Sequence, residues 1–553
     1  MMTRDYVKAL SLEEKIAHMI IVRAAGYQER VDEMLRDGKI GGVGAVLIPE
    51  QTRDLDTVVD TMNRWREEAT IPLFFFADAE WGLAQNFPFA TRFPPLMAIG
   101  AAEDAEELSA LHARIIAKEA RTLGFRMISN PPVDVNIEPK NPIICTRAFS
   151  DDTDTVINLS RIYVKAMQEE GVIPNTKHYP GHGATAVDSH MAMPVVERTR
   201  EELMDVELRP YKEICNDMWG VMTAHIYFPA LAAEGEEGVP ATLSRTMLYD
   251  ILRGEFGFEN LIVSDSLTMK GIKDNYGIEA AVGAIKAGHD IVLQDYMSDP
   301  KITYDLVYNA AKNGEIPMSW IDDSVYRILK FKEQLGCMDN APIDIEEVKR
   351  IVGCDEHIAA SKRIAASSIT QVEGKSLPLN PKSIGKTLII TTVDPEEENK
   401  VAVDLGRTGC CVSKVIGEVS GKYCNADYEF LPEIPSTERV DDLIALADKY
   451  DTVIVATIIR TASYKENSGK LSPELARMLS AINASQANLV TLIIGSPYVL
   501  ADLPQFDGCL VAYNDDSYSI EAIIGAMFGD FEPTGHLPVN VSDKYFRGYS
   551  YGK

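Results

Sequence analysis

Between residues 18 and 294, eight short apolar runs recur with helical patterns between them, and that alternation leaves few architectures open. The runs are His18–Ala24, Val43–Ile48, Pro72–Asp78, Arg126–Asp134, Ile173–His178, Gly220–His225, Leu261–Asp265 and Asp290–Gln294. Asp104–Leu123 typifies what separates them: Leu108, Leu111, Ile115, Ile116 and Leu123 recur near helical spacing and Gly124 supplies a stop. Eight β-α units predict a (β/α)8 TIM-type barrel, with a doubly wound open sheet as the alternative. The run ends favour the barrel. Asp78, Asp134, Lys177-His178, His225 and Asp265 close successive runs, and a barrel brings such ends to one face, where the loops surround a single pocket.

A second unit is expected after a charged helical stretch from Pro342 to Val372. Strand-like runs follow at Thr387–Val393, Thr452–Ile458, Leu489–Ser496 and Gly508–Asn514, with a helix starting near Ser472-Pro473. They read as a smaller α/β sandwich, dividing the chain into a barrel (1–340), a linker helix region (341–385) and a C-terminal sandwich (386–553). The sandwich has no G-x-G-x-x-G or Walker loop, so nothing in it points to a nucleotide. The chain shows no internal repeat and no low-complexity tract.

Composition removes several partners. Acidic residues number 83 against 54 basic ones, a formal charge of −29, which disfavours a surface for nucleic acid or anionic membrane. No segment sustains the roughly 20 apolar residues of a membrane helix, and the opening MMTRDYVKALSLEEKIAHMI carries charges where a secretory signal needs an uncharged core. The eight cysteines (145, 215, 337, 354, 410, 411, 424, 509) include no C-x-x-C pair. Reduced thiols and a cytoplasmic location are the expectation.

The densest reactive cluster is Lys177-His178-Tyr179-Pro180-Gly181-His182-Gly183, followed by Asp188-Ser189-His190; four of the nine histidines lie between 178 and 225. Pro180, Gly181 and Gly183 interrupt regular structure, so His182–His190 is expected in a loop leaving a strand end. An aspartate two residues from a histidine can orient the imidazole and favour its protonated form, giving an acid/base unit. The same residues also fit an ordinary polar loop. Metal ligation by His178, His182 and His190 is a third option, with spacings that fall across the Pro-Gly break. In Val263-Ser264-Asp265-Ser266 an apolar run meets a carboxylate, which is either a nucleophile at a barrel mouth or a cap for the next turn. His225 has a similar ambiguity between site and core.

Taken together and in order, these residues resemble glycoside hydrolase family 3, and within it the β-N-acetylglucosaminidases. The likeness is carried by Ser11-Leu12-Glu13-Glu14-Lys15, Asp78, Pro132-Val133-Asp134-Val135-Asn136, Arg147-Ala148-Phe149, the 177–183 run, Asp188-Ser189-His190, Met222-Thr223-Ala224-His225 and Pro240-Ala241-Thr242-Leu243-Ser244. It continues through Ser264-Asp265-Ser266, Ala287-Gly288-His289-Asp290 and Pro533-Thr534-Gly535-His536-Leu537-Pro538-Val539, so it covers nearly the whole chain.

The resemblance implies a retaining glycosidase in which Asp265 attacks the anomeric carbon. His190, paired with Asp188, would protonate the leaving oxygen and then deprotonate water. Asp78, Arg147, Lys177 and His178 would bind the sugar, while His225 and Asp134 would scaffold the pocket. No metal or organic cofactor is implied, the partner is a small saccharide substrate, and the protein is a monomer or homodimer. One departure stands out: the family pattern E-G-G-x-V-x-R reads Glu80-Trp81-Gly82-Leu83-Ala84-Gln85-Asn86 here, so an arginine is missing at 86, with Arg92 the next one along. Two other functions compete with hydrolysis. One is phosphorolysis, because a neutral histidine does not repel phosphate as a glutamate would; the other is non-catalytic sugar binding.

Overall fold

The computed structural model describes residues 2–44, 51–187, 189, 193–294, 298–393, 412–461 and 468–552. They form two compact units. The first is Met1–Arg92, Ser109–Val135 and Val156–His357; the second is Phe93–Leu108, Asn136–Thr155 and Ile358–Lys553.

The first unit holds eight parallel strands: β1 (Ile20–Arg23), β2 (Gly42–Gly44), β3 (Phe74–Asp78), β4 (Met127–Ser129), β5 (Ile173–Tyr179), β6 (Gly220–Thr223), β7 (Leu261–Val263) and β8 (Val292–Leu293). Their order, β7-β6-β5-β4-β3-β2-β1-β8, follows the chain around a ring. A bridge between Val263 and Ile291, with Ser264 N donating to Ile291 O at 3.1 Å, brings β7 to β8 and closes it. The TIM-type barrel expected from the alternation is therefore the observed fold, and the open sheet is not.

Apart from β5, which runs one residue past its apolar run to Tyr179, the strands are shorter than their runs, for local reasons. His18 ends the helix Leu12–His18, which a Ser11–Glu14 capping box starts, so β1 opens at Ile20. Arg126–Asp134 yields only Met127–Ser129, because Pro131 and Pro132 lack the N–H groups a ladder needs. Gly220–His225, Leu261–Asp265 and Asp290–Gln294 contract to β6, β7 and β8, and in each the polar ends lie outside the ladder. Val43–Ile48 is described only as far as Gly44, since 45–50 lie outside the described residues.

Packing behind the barrel wall is aromatic. On β3, Phe75 stacks against Trp65 of the helix Leu55–Glu68 at 6.4 Å and meets Phe125 edge-on at 6.2 Å. Burying one such side chain contributes about 1.5–3 kcal/mol. At the amino-terminal end of the strands, the helix Met318–Gln334 buries Lys332 completely. Its ammonium reaches His18 Nδ1 at 3.0 Å and the carbonyls of Gly41 and Pro72 at 2.6 Å each, tying together the approaches to β1, β2 and β3.

The second unit contains a six-stranded sheet in the order β11-β10-β12-β13-β14-β9, built from β9 (Thr370–Gly374), β10 (Thr387–Thr391), β11 (Ala426–Phe430), β12 (Thr452–Ile459), β13 (Asn488–Gly495) and β14 (Gly508–Ala512). All neighbours pair in parallel except β9, which runs antiparallel to β14. Alternation along the strands feeds two cores. Val453, Val455 and Ile493 face Val440, Leu443, Met478 and Leu479 on one side, while Ile454, Ala456 and Ile494 face Ile416, Ile520 and Ile523 on the other. This is the expected α/β sandwich, with helices on both faces; the sequence reading lacked β9 and β11. The helix expected at Ser472-Pro473 is Pro473–Asn483, with Ser472 as its cap.

Candidate active site

The carboxyl ends of β3 and β5 bring Asp78, Lys177 and His178 onto one rim. Asp78 is the last residue of β3, and Lys177 and His178 lie in the extended end of β5. The Lys177 ammonium sits 3.3 Å from Asp78 Oδ1 and 2.6 Å from Glu80 Oε1. With its side chain only 3% exposed, that charge needs both carboxylates to be tolerable. Glu80 had no role in the sequence reading; its position two residues beyond Asp78, on the same face of an extended chain, was the available signal.

Asp134 organises the run that follows β5. Its Oδ1 accepts from the backbone N–H of His182 at 2.7 Å and of His178 at 3.3 Å, and its Oδ2 lies 2.8 Å from His178 Nδ1. The backbone of the 177–183 loop is thus wound around one buried carboxylate. His178 Nδ1 is thereby committed to Asp134. The loop is also tied to the 131–133 segment, where Lys177 N donates to Pro131 O at 3.1 Å and Val133 N to Lys177 O at 2.7 Å.

His182 is held within the loop by two hydroxyls. Its Nδ1 lies 2.7 Å from Thr185 Oγ1 and its Nε2 3.0 Å from Ser189 Oγ, so both ring nitrogens bind hydroxyls. Among the described residues no group of three His, Cys, Asp or Glu side chains is placed to hold a metal ion. Ser189 is buried at the end of that bond. Asp188 and His190, which flank it, lie outside the described residues.

Asp265 follows β7 and is half-buried, with its Oδ1 accepting from Ser266 N at 2.6 Å. The adjacent backbone is held from β6: His225 Nε2 lies 2.9 Å from Ser266 O, which places a proton on that nitrogen. His225 Nδ1 meets Thr242 Oγ1 at 2.8 Å, Thr242 meets Thr223 at 3.2 Å, and Thr223 meets His289 Nε2 at 3.0 Å. Burial holds His289 down at about 4, so it is neutral; its Nδ1 donates to Ala284 O at 2.9 Å and its Nε2 accepts from Thr223. The His225 bond from β6 therefore fixes the carbonyl one residue past Asp265.

Arg147 stands in the second unit, in the short turn Cys145–Arg147, with a guanidinium N–H donated to Ile143 O at 3.0 Å. Asn86, where the family pattern has arginine, donates from Nδ2 to the backbone carbonyl of Asp78 at 2.5 Å. Arg92 is exposed and donates to Ala84 O at 3.4 Å.

The rim of a TIM-type barrel that carries paired carboxylates and a buried lysine is the place where barrel enzymes hold their chemistry, and comparison with known proteins makes that class specific. Residues 11–331 match the Glycosyl hydrolase family 3 N terminal domain, and residues 294–547 match the Glycosyl hydrolase family 3 C-terminal domain. The chain belongs to glycosyl hydrolase family 3 and is a glycoside hydrolase. A β-N-acetylglucosaminidase/β-glucosidase of Cellulomonas fimi is 28% identical over 90% of this chain and 88% of its own. The structure of a family 3 β-N-acetylglucosaminidase from Paenibacillus sp. str. FPU-7 is similar at a TM-score of 0.81 and 27% identity, covering 97% of this chain and 99% of that one. A β-glucoside phosphorylase shares the fold at a TM-score of 0.82 and 22% identity, over 97% of this chain and 95% of that one.

Proposed function

We propose that the protein is a retaining β-N-acetylglucosaminidase that releases terminal β-linked N-acetylglucosamine from short saccharides such as cell-wall muropeptide fragments or chito-oligosaccharides. The observation that carries this reading is the 177–183 loop wound on Asp134, which leads to a Ser189 pinned by His182. The names of the Cellulomonas and Paenibacillus relatives support the same substrate class.

In the proposed reaction the Asp265 carboxylate attacks the anomeric carbon as the C–O bond to the aglycone breaks, forming a covalent glycosyl-enzyme. His190, with Asp188 favouring its imidazolium, gives a proton to the leaving oxygen. It then takes one from the water that attacks the anomeric carbon and frees Asp265. An imidazole titrates near neutrality without a hydrophobic pocket to shift it, which suits a group that must act as acid and then as base. Lys177, Asp78 and His178 hold the sugar's hydroxyls and acetamido carbonyl, through contacts that tighten as the ring distorts.

The test is release of nitrophenol from the β-N-acetylglucosaminide and the β-glucoside in parallel, with and without phosphate, identifying the sugar product. Free N-acetylglucosamine in both buffers with little glucoside turnover is the expected result. A sugar 1-phosphate formed only with phosphate would replace hydrolysis by phosphorolysis, and silence on both glycosides would overturn the proposal.

A further inference from the structure

Asp78 has a second cation that the sequence reading did not assign. Arg23 is the last residue of β1, and its Nη2 lies 3.8 Å from Asp78 Oδ2. The approach crosses β2 at Gly44, which pairs in register with Arg23. A Cβ on Gly44 would lie 3.4 Å from Arg23 Cγ, an ordinary contact distance, so the arginine stem packs directly over this position of β2. One oxygen of Asp78 thus faces Lys177 from β5 and the other faces Arg23 from β1, two strands on opposite sides of the ring. Exposure separates the members of this network. Lys177 and Glu80 are 3% and 7% exposed, whereas Arg23 is 20% and Asp78 33% exposed. The sealed pair fixes the floor, and the Asp78–Arg23 pair is the part that solvent, and hence a ligand, can reach.

A carboxylate beside a guanidinium is suited to a sugar hydroxyl: the hydroxyl donates to the carboxylate and accepts from an N–H, so both its capacities are used at once. Resting on the proposal that Asp265 attacks the anomeric carbon, the topology says which hydroxyl this is. In the ring order β3 and β7 are four strands apart among eight, so Asp78 lies across the barrel mouth from Asp265. In a six-membered sugar ring, the carbon opposite C1 is C4. We propose that Arg23 is a substrate-binding residue that reads the 4-hydroxyl of the terminal sugar together with Asp78, and that it sets the preference between C4 epimers.

The experiment compares wild type, Arg23→Gln and Arg23→Lys on a nitrophenyl glycoside with its 4-hydroxyl, on the 4-deoxy analogue and on the C4 epimer. Arg23→Gln should lower kcat/KM on the parent glycoside roughly 10- to 100-fold, yet change the 4-deoxy analogue less than about threefold and narrow the epimer preference. Arg23→Lys should fall between, with melting curves and circular dichroism verifying that both variants fold. Equal losses on the parent and 4-deoxy substrates, or no loss on either, would overturn the proposal. The wild-type rate on the N-acetylglucosaminide tests the function separately, because the Arg23 experiment reads ratios on whichever glycoside is turned over.

Discussion

Replacing Asp134 by asparagine isolates the contact on which the 177–183 loop depends. The side chain keeps its shape, and its amide oxygen can still accept from the N–H groups of His178 and His182, which now lie 3.3 and 2.7 Å from Oδ1. The second oxygen, 2.8 Å from His178 Nδ1, becomes an NH2 group. Two donors cannot share a bond, so the imidazole must shift its proton to Nε2 or turn away. A hydrogen bond to a charged group is worth about 1.5–3 kcal/mol, and each 1.36 kcal/mol is a factor of ten in rate. If His178 acts on the sugar through Nε2, kcat/KM on the nitrophenyl glycoside should fall roughly 10- to 150-fold while the two backbone bonds hold the loop. Steady-state kinetics with a parallel urea titration separates the cases. An asparagine variant that keeps kcat/KM within twofold would refute the reasoning, whatever its stability, because it would show that the His178 tautomer does not matter to turnover.

Asp265→Asn should abolish turnover without altering the circular dichroism spectrum, and a fully active variant would count against the nucleophile assignment. Burial lowers the Lys332 ammonium from 10.5 to about 7, so between those pH values the unfolded chain binds one more proton than the folded one. Stability should therefore rise by up to about 1.4 kcal/mol per pH unit above pH 7. Denaturant titrations from pH 7 to 10 should lose that slope in Lys332→Met. Glu119 is buried and takes Thr91 N at 3.1 Å, Thr91 Oγ1 at 2.6 Å, Gly353 N at 2.8 Å and His357 Nδ1 at 2.8 Å. Glu119→Ala should cost about 3–5 kcal/mol in urea unfolding by stranding those donors, and a loss under 1 kcal/mol would show that the cluster relaxes around the gap.

The barrel was legible because its signal is periodic and repeated. Eight apolar runs fixed the number of strands even where their ends were wrong by several residues, as at His18 and at Asn130–Asp134. Strand β11 was missed for the opposite reason: Ala426–Phe430 lies at the edge of its sheet and is only partly buried, so its residues need not be apolar. Strand β9 was absorbed into the helical stretch before it, since Thr370–Gly374 follows the helix Asp355–Ser368 almost without a break.

The site divides along a different line. Asp78, Lys177 and His178 end apolar runs in order along the chain, and any barrel must bring such ends together. Asp134 ends a run as well, but what makes it a hub is the convergence of two backbone N–H groups and one imidazole from 44 and 48 residues away. No linear pattern carries that information, because a backbone donor has no identity in the sequence. Arg23 is hidden for a related reason. It follows Val22 as one more residue in a strand, and its pairing with Asp78 depends on the register that sets β1 beside β2 and β2 beside β3. Residues recognised by their own chemistry can be read from sequence at a barrel mouth, whereas residues defined by the backbone around them become visible only once the strands are in register.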